Sequence, residues 1–256
     1  MNWNSPWISL IPLFVFNAFM LCTVLAFRPI YRKKGVTQEI QERHASKFLN
    51  RWMREYWFWL TDPIIRFFIR FHITPNQITC LGTFIGVLSG LFFSLGHFGL
   101  GGWCMIWGAS FDMFDGKVAR LTNKETKSGA YFDSIMDRVS EGAVFAGLIF
   151  YYRESLVLWI AVMALLGSFM VSYTKAKGDE MNARYNGGSM QRPERIVYLG
   201  VGAVFSPVFS WMLSHYFPLL TTEALYVLPL FLVALMTWVT SLNRMKNVMK
   251  MLDQSC

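Results

Sequence analysis

The chain alternates long apolar runs with short polar breaks. Trp7 to Phe27 is a run of 21 residues without a charge, and further apolar runs occupy about 76–95, 100–121, 128–152, 155–175, 196–216 and 224–243. The breaks between them read "GHFGLGG", "TNKETK", "YRES", "KGDEMNARYNGGSMQRPER" and "SHYFPLLTTE". These are rich in the residue types that punctuate helices. Each run approaches the length of about 20 apolar residues with which a helix crosses a bilayer. The pattern therefore predicts an all-α integral membrane protein. An N-terminal membrane anchor occupies 1–27, a cytoplasmic linker with interfacial amphipathic helices 28–73, and a membrane domain of six spans 74–256.

Composition agrees. Of the 256 residues 54% are hydrophobic and only 16% charged, against about 25% charged in soluble proteins. The net charge of +8 does not point to nucleic acid, because the cations cluster between the apolar runs. Ten fall between Arg28 and Arg70, and others flank "TNKETK", the break after Lys175 and the C-terminal tail. If those segments are cytoplasmic, Arg153 alone of 24 Lys and Arg residues falls in an outside loop, as the positive-inside rule requires. A multi-pass protein of the cell's inner membrane is expected. The uncharged "MNWNSPW" before the first run and "RPIYRKKG" after it reverse the charge order of a secretory signal, so this run reads as a retained anchor.

Some residues carry no chemistry. Cys22, Cys80, Cys104 and Cys256 lack paired spacing and read as packing residues, with neither a disulfide framework nor a zinc site. His44, His72, His97 and His215 are scattered and form no nucleophilic constellation. Gly82, Gly86 and Gly90 recur every four residues, which clears one helix face for a neighbouring backbone.

The stretch "FDMFDGKVARLTNKETKSGAYFDSIMDR" is different. Asp112 and Asp115 share a face near the end of one predicted span, and Asp133 and Asp137 share a face near the start of the next. The two helices read as antiparallel neighbours across a short loop. Asp112 and Asp137 then sit at matched depth, about 13 Å below that loop at 1.5 Å per residue. Four gathered carboxylates repel one another and lose hydration, so they need a cation. With no His or Cys nearby, a hard divalent ion such as Mg2+, Mn2+ or Ca2+ fits. Two such ions sharing carboxylates would serve in-line displacement at phosphorus. The bland alternative is structural pairing of these acids with Lys117, Arg120 and Arg138.

The spacing Asp112-x2-Asp115-Gly116-x2-Ala119-Arg120-x8-Gly129-x3-Asp133-x3-Asp137 resembles, at every fixed position, the signature of the CDP-alcohol phosphotransferase family. The resemblance extends over about 74–250, the family's six-helix membrane bundle, with the N-terminal transmembrane helix as an addition outside it. It implies transfer of a phosphatidyl group from CDP-diacylglycerol to a polar alcohol with release of CMP, two Mg2+ or Mn2+ ions, a site facing the cytoplasm, and a homodimer. Carried over by position, Asp112, Asp115, Asp133 and Asp137 would hold metal, and Asp137 would also be the catalytic base. Gly116, Ala119, Arg120 and Gly129 would cradle the nucleotide. Thr74 and Asn76 resemble the segment that closes over it, although helix capping explains Thr74 equally well.

"SYTKAKGDE", "GGSMQRPER" and "NRMK" resemble the branch that makes phosphatidylinositol phosphate. There Lys175, Arg195 and Arg244 would hold the phosphate of an inositol phosphate acceptor. Cations at inner helix ends are expected from topology as well. Arg192 and Lys177 read as interface residues; the long N-terminal anchor and linker are not part of the compact enzyme, and the loop "GDEMNARYNGGSM" could shape a different acceptor pocket. Glycerol 3-phosphate, free inositol or another alcohol are the alternative acceptors. An intramembrane prenyltransferase would show two separate Asp-rich motifs, and a cation transporter internal repeats; the sequence has neither.

Overall fold

A computed structural model describes residues 5–34, 51–185, 187–214, 216–217 and 219–254. His44, His215, Cys256 and the linker at 35–50 lie outside the described residues. Among the described residues eight helices follow one another: α1 (Pro6–Lys34), α2 (Arg51–Arg70), α3 (Pro75–Ser94), α4 (Phe98–Leu121), α5 (Lys127–Tyr151), α6 (Val157–Glu180), α7 (Arg192–Leu213) and α8 (Thr222–Asp253). Five of them, α1, α3, α6, α7 and α8, are long and apolar enough to cross a membrane. The other two long bundle helices, α4 and α5, have 24 and 25 residues and carry the aspartates. The protein is a multi-pass membrane protein.

Helix ends depart from the apolar runs. α1 continues past Phe27 to Lys34, α6 to Glu180 and α8 to Asp253. An apolar run measures hydrocarbon thickness, whereas Lys, Arg, Glu and Met continue a helix readily into water. α7 is a composite: Arg192–Ile196 is α-helical, Val197–Val201 is wound as a π turn, and Gly202–Leu213 resumes the α form.

The six helices α3 to α8 close a ring. α3 packs on α4 and α5, α5 on α6, α6 on α8, α8 on α7, and α7 back on α4. The core fills that ring, with Phe93, Phe98, Phe145, Leu148, Leu199, Tyr226 and Leu230 all essentially inaccessible. Phe98 and Tyr226 meet with ring centroids 5.0 Å apart, and Tyr152 Oη donates to Glu223 O at 2.7 Å.

The glycine series makes the closest approaches. A Cβ on Gly86 would fall 1.9 Å from Ser140 Oγ, one on Gly90 2.2 Å from Ala143 O, and one on Gly147 1.9 Å from Gly90 O. Gly82 instead faces Phe111 of α4. α3 therefore packs backbone to backbone on both aspartate-bearing helices. The two helices, expected as antiparallel neighbours across a short loop, bring their aspartates together there but make few contacts with each other, and α3 is the element they share. Small residues permit that packing, because Gly82, Gly86 and Gly90 of α3 meet Gly108 of α4 and Gly147 of α5 with no side chain between the backbones.

α1 and α2 lie outside the ring. Trp103 Nε1 of α4 donates to Ser9 O of α1 at 3.2 Å, and Thr23 of α1 meets Tyr56 of α2 at 2.7 Å. Ile65 and Phe68 of α2 pack with Ile78 and Val118. Cys22 and Cys80 are exposed rather than packed, a correction to their expected role, and Cys104 is half-buried; all three are free thiols. Apolar helix faces that meet lipid have no need to be buried in protein, so a cysteine there carries no packing duty.

Candidate active site

The site begins at the start of α3. Thr74 has extended backbone, its hydroxyl accepts from Gln77 N, and Gln77 Oε1 accepts from Thr74 N at 2.8 Å. This capping box fixes the α3 start beside the α4–α5 loop. Thr126 caps α5 likewise, accepting from Gly129 N at 3.0 Å. Between these ends lies a cavity of about 380 Å³ lined by Thr74, Asn76, Thr79, Asp115, Gly116, Ala119, Gly129 and Asp133. Every residue expected to cradle a nucleotide is in its wall except Arg120. Arg120 stands half-exposed at the rim, 3.9 Å from Glu125, and its guanidinium would lie 3.5 Å from a Cβ on Gly116. Lys124, which also lines the cavity, was not singled out by the sequence pattern.

The aspartates divide three and one. Oxygens of Asp112, Asp133 and Asp137 lie within 4.8 Å of one another, and Asp133 Oδ1 is buried without a hydrogen-bond partner. An all-oxygen, anionic group with an orphaned buried oxygen suits a hard divalent cation. Asp115 is held slightly apart: its Oδ2 accepts from Thr79 Oγ1 at 2.6 Å, and its Oδ1 from Gly116 N at 2.5 Å.

The bland alternative, structural pairing of these acids with Lys117, Arg120 and Arg138, is met only in part among the described residues. Lys117 Nζ reaches Thr61 Oγ1 at 2.9 Å, Arg120 is near Glu125, and only Arg138 approaches the cluster, 3.7 Å from Asp137. The cation that does reach the cluster is Arg192. It ion-pairs with Asp112, and its Nη1 lies 2.8 Å from Asp137 Oδ1. The reading of Arg192 as an interface residue is thereby corrected. The reason lies in α7, whose π turn follows immediately and resets the register of Arg192 and Arg195 relative to the membrane-spanning remainder. Lys177 is exposed and pairs with Glu180 at 3.0 Å, in keeping with an interface position.

A second cavity, of about 850 Å³, opens on the other side of Asp137. Lys175 of α6, Arg195 of α7 and Arg244 of α8 all line it, with Arg138 and Arg192. Lys175 is exposed, whereas Arg195 and Arg244 are each 1% exposed. Arg244 donates to Val171 O at 2.5 Å and Gly187 O at 3.0 Å, and its Nε has no partner. Arg195 Nη2 is likewise unpartnered. Buried N–H groups without acceptors are rare and costly, and the cavity that these arginines line collects five cations, a charge that suits an anion.

The sequence reading passed over Glu141, which binds Arg195 and Arg138 and is 7% exposed. The signal was available: Asp133, Asp137 and Glu141 continue one i, i+4 series along a single face of α5.

Comparison with known proteins agrees with this geometry. Residues 72–242 match the CDP-alcohol phosphatidyltransferase family. A phosphatidylinositol phosphate synthase of Mycobacteroides abscessus is 35% identical over 156 residues, 59% of this chain and 71% of the relative. One from Streptomyces avermitilis is 30% identical over 211 residues, 80% of this chain and 84% of the relative. The crystal structure of the Mycobacterium tuberculosis phosphatidylinositol phosphate synthase with manganese and citrate superposes with a TM-score of 0.65 at 30% identity, covering 73% of this chain and 88% of that one. The same enzyme with CDP-DAG bound gives 0.64, with 92% of that chain covered. Motif, ring of helices and paired cavities therefore converge, and this chain belongs to the CDP-alcohol phosphatidyltransferase family, enzymes that transfer phosphatidyl groups.

Proposed function

We propose that the protein transfers the phosphatidyl group of CDP-diacylglycerol to an inositol phosphate, releasing CMP, with Mg2+ or Mn2+ as cofactor. The observation that carries this reading is the larger cavity, where Lys175, Arg195 and Arg244 from three helices line one space beside Asp137. The positive charge of these three side chains matches a phosphate dianion, and Arg can meet two of its oxygens at once. The names of the relatives and the manganese and CDP-DAG complexes of the mycobacterial enzyme support the same donor, cofactor and acceptor.

In this reading Thr74, Asn76, Gly116, Ala119, Arg120 and Gly129 hold the CDP moiety in or beside the smaller cavity. Asp112, Asp115, Asp133 and Asp137 hold two ions. Bound there, the ions supply Lewis acidity to the diphosphate oxygens and offset the charge gathering on the leaving group. Asp137 takes the proton of the acceptor hydroxyl as its oxygen forms a bond to the phosphatidyl phosphorus. The bond from that phosphorus to the CMP oxygen breaks, and CMP departs with the electron pair. Arg195, Arg244 and Lys175 keep the acceptor's own phosphate away from the reacting centre.

The division into an anchor at 1–27, a linker at 28–73 and a catalytic domain at 74–256, the cytoplasm-facing site in the inner membrane and the homodimer belong to the same proposal. Purified protein with CDP-diacylglycerol and magnesium should release CMP when inositol 1-phosphate is added. Glycerol 3-phosphate, inositol and serine serve as competitors, and Lys175→Ala or Arg195→Ala should remove the response. Stimulation by an unphosphorylated alcohol alone would overturn the acceptor assignment. A prenyltransferase would release diphosphate from a prenyl donor instead, and a cation transporter would need no CDP-lipid.

A further inference from the structure

Glu141 lies one helical turn beyond Asp137 on α5, outside the aspartate signature. Its Oε1 accepts from Arg195 Nε at 2.6 Å, and its Oε2 from Arg138 Nη1 at 2.9 Å. Arg138 also bonds Ser172 of α6, and its Nη2 lies 3.7 Å from Asp137 Oδ2. Charges alternate along this line: Asp137, Arg138, Glu141, Arg195. The line runs from the carboxylate beside the aspartate cluster to the buried arginine of the larger cavity.

A guanidinium presents its N–H donors in one rigid plane. In Arg195, Nε is engaged by Glu141 and Nη1 by Met190 O at 3.1 Å, while Nη2 has no partner. Two fixed nitrogens define the plane, and so they define where the third one points. Glu141 also supplies negative charge beside a cavity that collects Arg138, Arg192, Arg195, Arg244 and Lys175. Without it, those cations would repel one another and Arg195 would lose its carboxylate partner.

We propose that Glu141 is a positioning residue for the acceptor. It aims Arg195 at the acceptor's phosphate and, through Arg138, sets the span between that phosphate and Asp137. The enzyme thereby selects alcohols whose phosphate and reacting hydroxyl fit that span. This inference rests on the phosphorylated acceptor proposed above.

The test uses the full-length protein, CDP-diacylglycerol, magnesium and inositol 1-phosphate, with initial rates for wild type, Glu141→Gln, Glu141→Asp, Arg195→Ala and the Glu141→Gln/Arg195→Ala double variant. Glu141→Gln should raise the acceptor KM about tenfold or more while the CDP-diacylglycerol KM stays within about twofold. Glu141→Asp, which keeps the charge, should recover part of the loss. In the Arg195→Ala background Glu141→Gln should add less than about twofold, because the residue through which it acts is gone.

An unmoved acceptor KM in Glu141→Gln overturns the inference, as do equal rises for both substrates or independent effects in the double variant. If Glu141→Gln does not fold, Glu141→Asp decides: a rise confined to the acceptor KM supports the inference, and no rise overturns it. Wild-type enzyme that uses only an unphosphorylated alcohol overturns the proposed acceptor and this inference together, and that result is read before any variant. Wild-type enzyme that uses inositol 1-phosphate, with Glu141→Gln unmoved, overturns this inference alone.

Discussion

Thr79 donates its hydroxyl to Asp115 at 2.6 Å, from α3 to α4, with both residues buried. This bond holds Asp115 apart from the other three aspartates and against the smaller cavity. Replacing it with the near-isosteric Thr79→Val should cost about 1–2 kcal/mol of stability, since the acceptor is left buried and under-satisfied. If the same free energy is lost from donor binding, the CDP-diacylglycerol KM should rise by about 5–30-fold. Thr79→Ser should stay near wild type. Thermal melting and initial rates check both, and a Thr79→Val protein unchanged in each would show that Asp115 needs no such support.

Asp137 belongs to the aspartate cluster and also lines the larger cavity. Asp137→Asn keeps the shape of the side chain and removes its basicity. CMP release should fall by about 10²–10⁴-fold, the usual worth of a general base, while Mn2+ still binds through the remaining aspartates. Electron paramagnetic resonance of Mn2+ alongside turnover separates the two effects. Full activity in this variant would rule out Asp137 as the base.

Chelation with EDTA should stop CMP release, and Mg2+ or Mn2+ should restore it. Arg192 adds a quantitative expectation, because its guanidinium and a dication compete for oxygens of Asp112 and Asp137. In Arg192→Ala the metal concentration at half-maximal rate should therefore fall, whatever happens to the maximal rate. A rise in that concentration would mean that Arg192 helps to assemble the ion site.

Gly90 and Gly142 make a matched pair of alanine substitutions. A methyl at Gly90 would press on the Ala143 carbonyl, whereas one at Gly142 would meet only Phe169 at 3.5 Å. Gly90→Ala should destabilise by about 1–3 kcal/mol through overpacking and reduce turnover by prying α3 from α5. Gly142→Ala should be neutral. Equal melting temperatures for the two would mean that the α3–α5 contact yields without cost.

The fold and the carboxylate cluster are largely legible in the sequence. Hydrophobic run length located the helices of the bundle, and the i, i+3 and i+4 spacings of the aspartates put them on defined faces. What escaped were relations between helices. Which helix shares the groove with α4 and α5 depends on glycine contacts at sub-ångström tolerance, and both partners are compatible with the sequence. Arg192 lies 80 positions from Asp112, and only the ring closure and the π turn of α7 bring them together. Glu141 was legible from its spacing but was masked by a motif that stops at Asp137.

The aspartates form the partition between two separate chambers, one lined by Asp115 and Asp133, the other by Asp137. A partition of that kind dictates the order of events. With donor and acceptor bound as proposed above, neither has to vacate its chamber for the other to arrive, so no parked phosphatidyl-enzyme is called for. Turnover should proceed through a ternary complex, with initial-velocity plots that intersect rather than run parallel. With the alcohol approaching phosphorus from one side and CMP leaving on the other, a single passage should invert the configuration of a chiral phosphorothioate donor.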